Sequence, residues 1–416
     1  MSYKMRIVDA ELRESLAASG AVLIEGPKAC GKTETALQTA ASVVRLDIDI
    51  DALLAANVDP ALVLGGAAPR LIDEWQVVPA IWNSVRRAVD ERRQPGQFIL
   101  TGSAQPADDA HRHSGAGRFS VLRMRPMSLF ESGASTGAIA FHDLMLGIHQ
   151  TSRDTGMSIP DIAELLTIGG WPAQQGAPLR AATRAARDYL EQIRQVDISL
   201  VGNTRRDPAR MARLLTSLAR NTATEAAVTT IAADTGGTDG PLDRRTVTDY
   251  LDALGRLMIV EDQPAWAPHM RSKSTLRTSA KRHFVDPSLA IAAMRAGPET
   301  LLKDLNTLGL LFESMVIRDL RVLSQPLDGQ VFHYRDNKGL EVDAIVQLGD
   351  GRWAAFEVKL GSGQLDRAAA TLVKFAALAD QTRIGAPSAL AVITATGFGY
   401  QRPDGVSVVP VGSLGP

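Results

Sequence analysis

The chemistry most legible in this chain lies near its start. Gly26-Pro27-Lys28-Ala29-Cys30-Gly31-Lys32-Thr33 reads G-x-x-x-x-G-K-S/T in full. It follows the apolar run Ala21–Glu25 and opens a helical pattern over Lys32–Ser42, the context that a phosphate-cradling loop requires. The glycines let successive backbone N–H groups turn inward around phosphates, and the helix start adds partial positive charge. Lys32 is expected to pair with the β and γ phosphates and Thr33 to ligate Mg²⁺. The implied cofactors are ATP and Mg²⁺. Cys30 is an ordinary small residue for such a loop, and a thiol reagent on it is expected to block nucleotide binding.

Nucleotide chemistry needs acidic and polar partners. Leu71-Ile72-Asp73-Glu74 ends a short apolar strand. Asp73 would hold Mg²⁺ through water, and Glu74 would polarise the attacking water. A further strand ends in Leu100-Thr101-Gly102-Ser103. Thr101 or Ser103 could contact the γ phosphate or its water. Arg118, in Gly117-Arg118-Phe119, is a candidate charge stabiliser, acting within the chain or from a neighbouring copy in a homo-oligomer.

A second constellation lies near the other end. Glu341-Val342-Asp343 opens one apolar strand and Glu357-Val358-Lys359 closes the next, with a Gly349-Asp350-Gly351 turn between. In a hairpin Asp343, Glu357 and Lys359 share a face. Asp343 and Glu357 are hard oxygen ligands suited to Mg²⁺, and Glu313 could complete the metal shell. Lys359 could lower the pKa of the attacking water or stabilise developing charge. Arg335 and Lys338 could hold nucleic-acid phosphates. This set suits metal-dependent phosphodiester cleavage. The bland alternatives are a buried ion-pair cluster or a nuclease fold that no longer cuts.

The elements that would position these residues follow from periodicity. Residues 1–135 alternate short apolar strands with helices, which predicts a parallel sheet covered on both faces. Residues 136–200 read as a helical connector broken at Gly169–Pro172. Residues 201–290 carry three helical patterns, Pro208–Arg220, Val228–Thr235 and Arg244–Leu257, followed by a small strand pair made by Val260–Asp262 and Trp266. That order predicts a winged helix-turn-helix, with Arg244, Arg245 and Thr246 at the start of its reading helix. The basic flank Arg271, Lys273, Arg277, Lys281 and Arg282 could neutralise phosphates. Residues 291–416 predict an α+β domain. The fold class is therefore α/β and multi-domain.

Composition narrows the function classes. The chain has 416 residues, a net charge of −1 and a single cysteine. A chain-wide polybasic coat, an internal disulfide and a cysteine-based zinc cluster are excluded. No run of 18 apolar residues appears and the start lacks the apolar centre of an export signal, so a cytoplasmic protein without membrane contact is expected.

Taken in order, these motifs resemble a prokaryotic group of AAA+-type P-loop ATPases that carry a C-terminal domain of unknown function with a restriction-endonuclease-like fold. Beyond the stretches already quoted, the resemblance rests on Pro126-Met127-Ser128-Leu129-Phe130-Glu131, Gly169-Gly170-Trp171-Pro172, Phe284-Val285-Asp286-Pro287 and Phe312-Glu313. It implies an ATP-binding α/β domain, a winged-helix middle and a nuclease-like end. The expected function is Mg²⁺-dependent ATP binding and hydrolysis coupled to a nuclease-like domain acting on nucleic acid, most readily DNA. The rival is an ATP-switched regulator that binds DNA or a protein partner and does not cut.

Overall fold

The computed structural model describes residues 3–102, 114–197, 206–236, 240–267 and 279–416. Ser103 and the basic residues Arg271, Lys273 and Arg277 lie outside the described residues. The chain divides into two compact units. The first is built on Met1–Pro126, and the second takes Met127–Val196, Arg206–Asp252 and Ile259–Pro416.

In the first unit five strands form one sheet: β1 (Ala21–Glu25), β2 (Ser42–Arg45), β3 (Arg70–Asp73), β4 (Phe98–Gly102) and β5 (Phe119–Arg123). Their order is β2-β3-β4-β1-β5 and every pairing is parallel. Alternate residues face opposite sides of a strand, and the two faces bury separate cores. Leu23, Val44, Ile72 and Leu100 pack with Trp75, Trp82 and Val85. Val22, Ile24, Leu71 and Ile99 pack with Val8, Leu12 and Leu16 of the helix Val8–Ala18. Because all strands run the same way, their carboxyl ends share one edge. Glu25 lies beside Gly102 and Arg123, and Asp73 beside Thr101.

The second unit contains β6 (Ile139–Ala140), β7 (Val260–Gln263), β8 (Lys281–Phe284), β9 (Gln330–Arg335), β10 (Glu341–Gln347), β11 (Trp353–Lys359), β12 (Ala389–Thr394), β13 (Tyr400–Gln401), β14 (Ser407–Pro410) and β15 (Leu414–Gly415). A mixed six-stranded sheet runs β13-β14-β12-β11-β10-β9. β10 and β11 are the expected antiparallel hairpin, and β12 joins β11 in parallel through the helix Leu365–Leu378. The residues Met127–Ser135, placed by sequence with the phosphate-loop segment, pack in this second unit instead. Ser128 caps the short helix Leu129–Ser132, and the Leu129 amide donates to Asp319 at 2.9 Å.

Three helices, Pro208–Arg220, Val228–Asp234 and Arg244–Arg256, precede an antiparallel strand pair, as expected in order. The second strand of that pair differs. β7 pairs with β8, not with Trp266. Trp266 is drawn instead into the aromatic core under the large sheet, 5.1 Å from Trp353, and its indole N–H donates to Gln347 at 3.0 Å. A large apolar ring with one polar atom is best satisfied there. Among the described residues no helix is long and apolar enough to cross a membrane.

Candidate functional site

The phosphate loop leaves β1 at the carboxyl edge of the sheet. Ala29 and Gly31 take left-handed backbone angles, with φ of 62° and 104°, and the helix Lys32–Leu37 follows. A Cβ at Gly26 would meet the Met124 carbonyl at 2.3 Å, so only glycine fits that close approach. Lys28 and Ala29 are exposed at the tip, while Pro27 is buried. Lys32 is 6% exposed, and its Nζ donates to the carbonyls of Gly26 and Pro27 at 3.0 and 2.9 Å. The ammonium is thus held inside the loop by its own backbone. Cys30 is fully buried among Ile24, Leu122 and Met124. A thiol reagent would therefore have to reach a core side chain.

Asp73 organises the polar part of this edge. One carboxylate oxygen accepts the hydroxyl of Thr33 at 2.8 Å and that of Thr101 in a shorter bond. The strand order explains the meeting: β4 lies between β1 and β3, so Thr101 sits next to Asp73 while the loop after β1 brings Thr33 from the other side. Glu74 follows with φ of 55°, an uncommon angle for a side-chain-bearing residue that recurs at functional positions. Its carboxylate accepts a bond from the Gln76 amide. Sequence reading missed Gln76, and nothing in its neighbours' spacing signalled it. The donors present, a buried lysine, a threonine hydroxyl and an aspartate around a glycine-bearing loop, fit a magnesium nucleotide.

Arg118 is not brought to this edge. It precedes β5 at the amino ends of the strands, where its carbonyl accepts the Ala21 amide. Its guanidinium pairs with Asp90 at 2.9 Å. Five residues of strand, about 16 Å, separate it from the loop of its own chain.

At the C-terminal constellation the hairpin register places Asp343 opposite Glu357, one residue beyond the Ala344–Phe356 pair. Lys359 bridges both carboxylates, at 2.9 Å to Asp343 and 2.7 Å to Glu357. The Val358 amide adds a bond to Asp343 at 2.8 Å. Glu313 comes from the helix Leu305–Ser324. Lys281 of β8 meets it at 2.9 Å and reaches Glu341 at 3.0 Å. All of Lys281, Glu313, Asp343 and Glu357 are buried.

Electrostatics follow from this packing. Burial raises Glu357, and the Asp343 charge raises it further, to about 8 despite Lys359. Burial likewise pushes Glu313 up to about 7 against the pull of Lys281. Burial opposes ionisation of Asp343 too, but Lys359, Lys281 and the Val358 amide outweigh it and hold that carboxyl below its usual range. Burial pulls Lys281 down, yet Glu313, Asp343 and Glu341 together keep its ammonium above the ordinary lysine range. Among the described residues no group of three or more His, Cys, Asp and Glu side chains is arranged to hold a metal ion. Glu313, Asp343 and Glu357 lie close enough to act on one another's charge, and Lys281 and Lys359 pair with them.

Lys281 also leaves the basic flank. At 2% exposure it faces the carboxylates rather than solvent. Arg282 is partly buried and donates to the Ala226 carbonyl at 2.8 Å. The alternation Lys281-Arg282-His283 on a strand was the available signal, since it puts Lys281 and the buried His283 on one face. Arg244, Arg245, Arg335 and Lys338 are exposed as expected, while Thr246 is tied to the cap Asp243 at 2.6 Å.

Three stretches match known families: residues 18–132 an AAA domain, residues 159–300 a domain of unknown function (DUF8612) and residues 308–414 another (DUF4143). The chain is similar to an uncharacterized protein of Mycobacterium tuberculosis and to one of Mycobacterium bovis. Each is 27% identical over 369 residues, which covers 86% of this chain and 74% of that protein. Among solved structures it is similar to a Walker-type ATPase of Pyrococcus abyssi, at 12% identity and a TM-score of 0.39, over 68% of this chain and 94% of that one. The AAA match falls on the stretch that holds the loop, Asp73 and Thr101.

Proposed function

We propose that this chain is a Mg²⁺-dependent ATPase whose nucleotide state switches a second part directed at nucleic acid, and that the second part binds without cutting. The observation that carries the first half is the meeting of Thr33, Asp73 and Thr101 beside the Lys32 loop. The loop amides and Lys32 would hold the triphosphate. Thr33 and Asp73 would hold Mg²⁺, which when bound supplies charge neutralisation. Thr101 keeps Asp73 oriented, and Glu74, steadied by Gln76, takes the proton side of water attack.

The non-cutting half rests on Lys281. Its ammonium, together with Lys359, occupies the charge of the carboxylate cluster, and this favours a scaffold over a metal-dependent cutter. Three helices with Arg244 and Arg245 exposed at the start of the third support a winged-helix contact to nucleic acid.

ATP turnover by the full chain tests the first half. Lys32→Ala is expected to lose at least about 100-fold in rate, in line with removal of one electrostatic contact made at the transition state. An unchanged rate overturns it. A supercoiled plasmid held with Mg²⁺ or Mn²⁺, with and without ATP, tests the second half. An intact plasmid is expected. Cleavage that disappears in Asp343→Ala restores the nuclease reading.

A further inference from the structure

A cavity of 510 Å³ lies in the second unit between the helices Leu179–Gln192, Pro208–Arg220 and Pro287–Ala293. Its size falls in the range of small-ligand sites, about 300–1,000 Å³. Its lining is unusual in charge. Arg187, Arg194, Arg213, Arg220 and Arg295 all border it, against only two carboxylates, Glu191 and Asp234.

The carboxylates are already committed. Glu191 accepts from Arg194, and Asp234 pairs with Arg220 at 3.2 Å. Arg187 and Arg213 have no ion-pair partner among the described residues, and Arg295 acts on Glu191 only as a nearby charge. Inside the cavity the imbalance sharpens. The Nε atoms of Arg194 and Arg213 are shielded from solvent and have no acceptor among the described residues. A shielded guanidinium N–H without an acceptor is costly, and two of the arginines bordering the cavity carry one. Arg194 sits on the π-helical turn Ile193–Asp197 that extends the first helix, a local widening that recurs at functional sites.

We infer that this cavity is a phosphate-binding site for a ligand carrying phosphate esters. A single carboxylate brings one charge to a cavity bordered by five guanidiniums and two carboxylates. A phosphate ester brings more charge and several acceptor oxygens, and it matches the planar fork of arginine. The same chemistry is presented by the backbone of a nucleic-acid strand and by a free nucleotide. The inference does not rest on the ATPase reading, because every lining residue belongs to the second unit and the phosphate loop to the first.

The test uses the full chain carrying Lys32→Ala, which takes the phosphate loop out of the readout. Inorganic pyrophosphate is titrated calorimetrically, and a fluorescein-labelled single-stranded 12-mer by anisotropy over a salt series. Arg213→Gln with Arg295→Gln is expected to weaken at least one probe by about ten-fold or more. For the strand, the slope of log affinity against log salt should fall by about 0.7 for each phosphate no longer neutralised. Weakening with the strand alone assigns the site to a nucleic-acid backbone, and weakening with pyrophosphate alone assigns it to a free phosphorylated ligand. Arg213→Lys should retain part of the affinity, which separates removal of charge from failure to fold. Arg184→Gln, on the same helix as Arg187 but with a side chain 84% exposed beside Asp188, should leave both probes unchanged. The site is overturned if the double variant binds both probes as the parent does, or if Arg184→Gln weakens them equally. ATP turnover of the double variant with Lys32 restored is measured alongside, so the two readings fail separately.

Discussion

At Asp73 a single oxygen collects two hydroxyls, from Thr33 and Thr101, and that convergence separates a working edge of the sheet from an idle one. Arg118 stands at the idle edge, paired with Asp90. Arg118→Ala is therefore expected to leave the ATP turnover of a dilute chain within about two-fold of wild type, since an exposed pair of this kind contributes little. A large drop that grows with protein concentration would show a neighbouring copy using it. Glu357 makes a second prediction at this scale. Its folded pKa is pushed up to about 8, first by burial and then by Asp343, whereas the unfolded chain titrates it near about 4.3. Between those values the folded chain keeps a proton that the unfolded chain releases. Stability from this group therefore falls as pH rises through that window. Glu313, pushed up to about 7, acts in the same direction. In thermal melts between about pH 5.5 and 8.5, wild type should lose stability relative to Glu357→Gln as pH rises. Parallel curves would mean that Glu357 ionises in the fold as freely as in the unfolded chain.

At the scale of elements, the helix Leu305–Ser324 does most of the joining within the second unit. Arg318, 4% exposed, donates to Asp286 at 2.8 Å and to Asp319 at 2.7 Å. Asp286 also accepts the Gly170 amide at 2.8 Å, and Asp319 the Leu129 amide at 2.9 Å. The Trp171 indole donates to Ser288 at 3.0 Å. Three motifs far apart in the chain thus meet this helix in one buried hydrogen-bonded junction. Gly170 belongs to it sterically, because a Cβ there would meet the Met127 carbonyl at 2.2 Å. Arg318→Met leaves two buried carboxylates without their cation, which is expected to cost about 3–5 kcal/mol. Urea denaturation followed by circular dichroism measures this. A cost under about 1 kcal/mol would mean that water replaces the guanidinium.

For the whole molecule, the division into two compact units sets how it should unfold. Calorimetry of the full chain is expected to show two transitions, since units with separate cores unfold separately. ATP with Mg²⁺ should raise only the transition of the first unit. At about 100 times the dissociation constant the gain is about 2.7 kcal/mol, and Lys32→Ala should abolish it. A single transition that moves as one with nucleotide would show that the units melt cooperatively.

Some of this was readable from residues in order. The phosphate loop, the strand ending at Asp73 and the Asp343–Glu357–Lys359 hairpin are local patterns, and local backbone geometry and strand alternation suffice to place them. The parallel sheet followed from strand–helix alternation for the same reason. Tertiary structure alone decided the rest. Lys281 looked like one of five solvated bases; its alternation with Arg282 and His283 put it on the face of a buried histidine, but the packing of β8 against the helix that carries Glu313 decided that it is a buried, paired cation. Trp266 looked like half of a strand pair until the aromatic core beneath the large sheet claimed it. Arg118 sits beside a glycine at a strand start, and only the common direction of the strands shows that this end faces away from the loop. In the arginine-lined cavity, five guanidiniums converge from three segments, Arg187 with Arg194, Arg213 with Arg220, and Arg295. Charge balance between distant segments is a property of the folded space, and sequence spacing does not encode it.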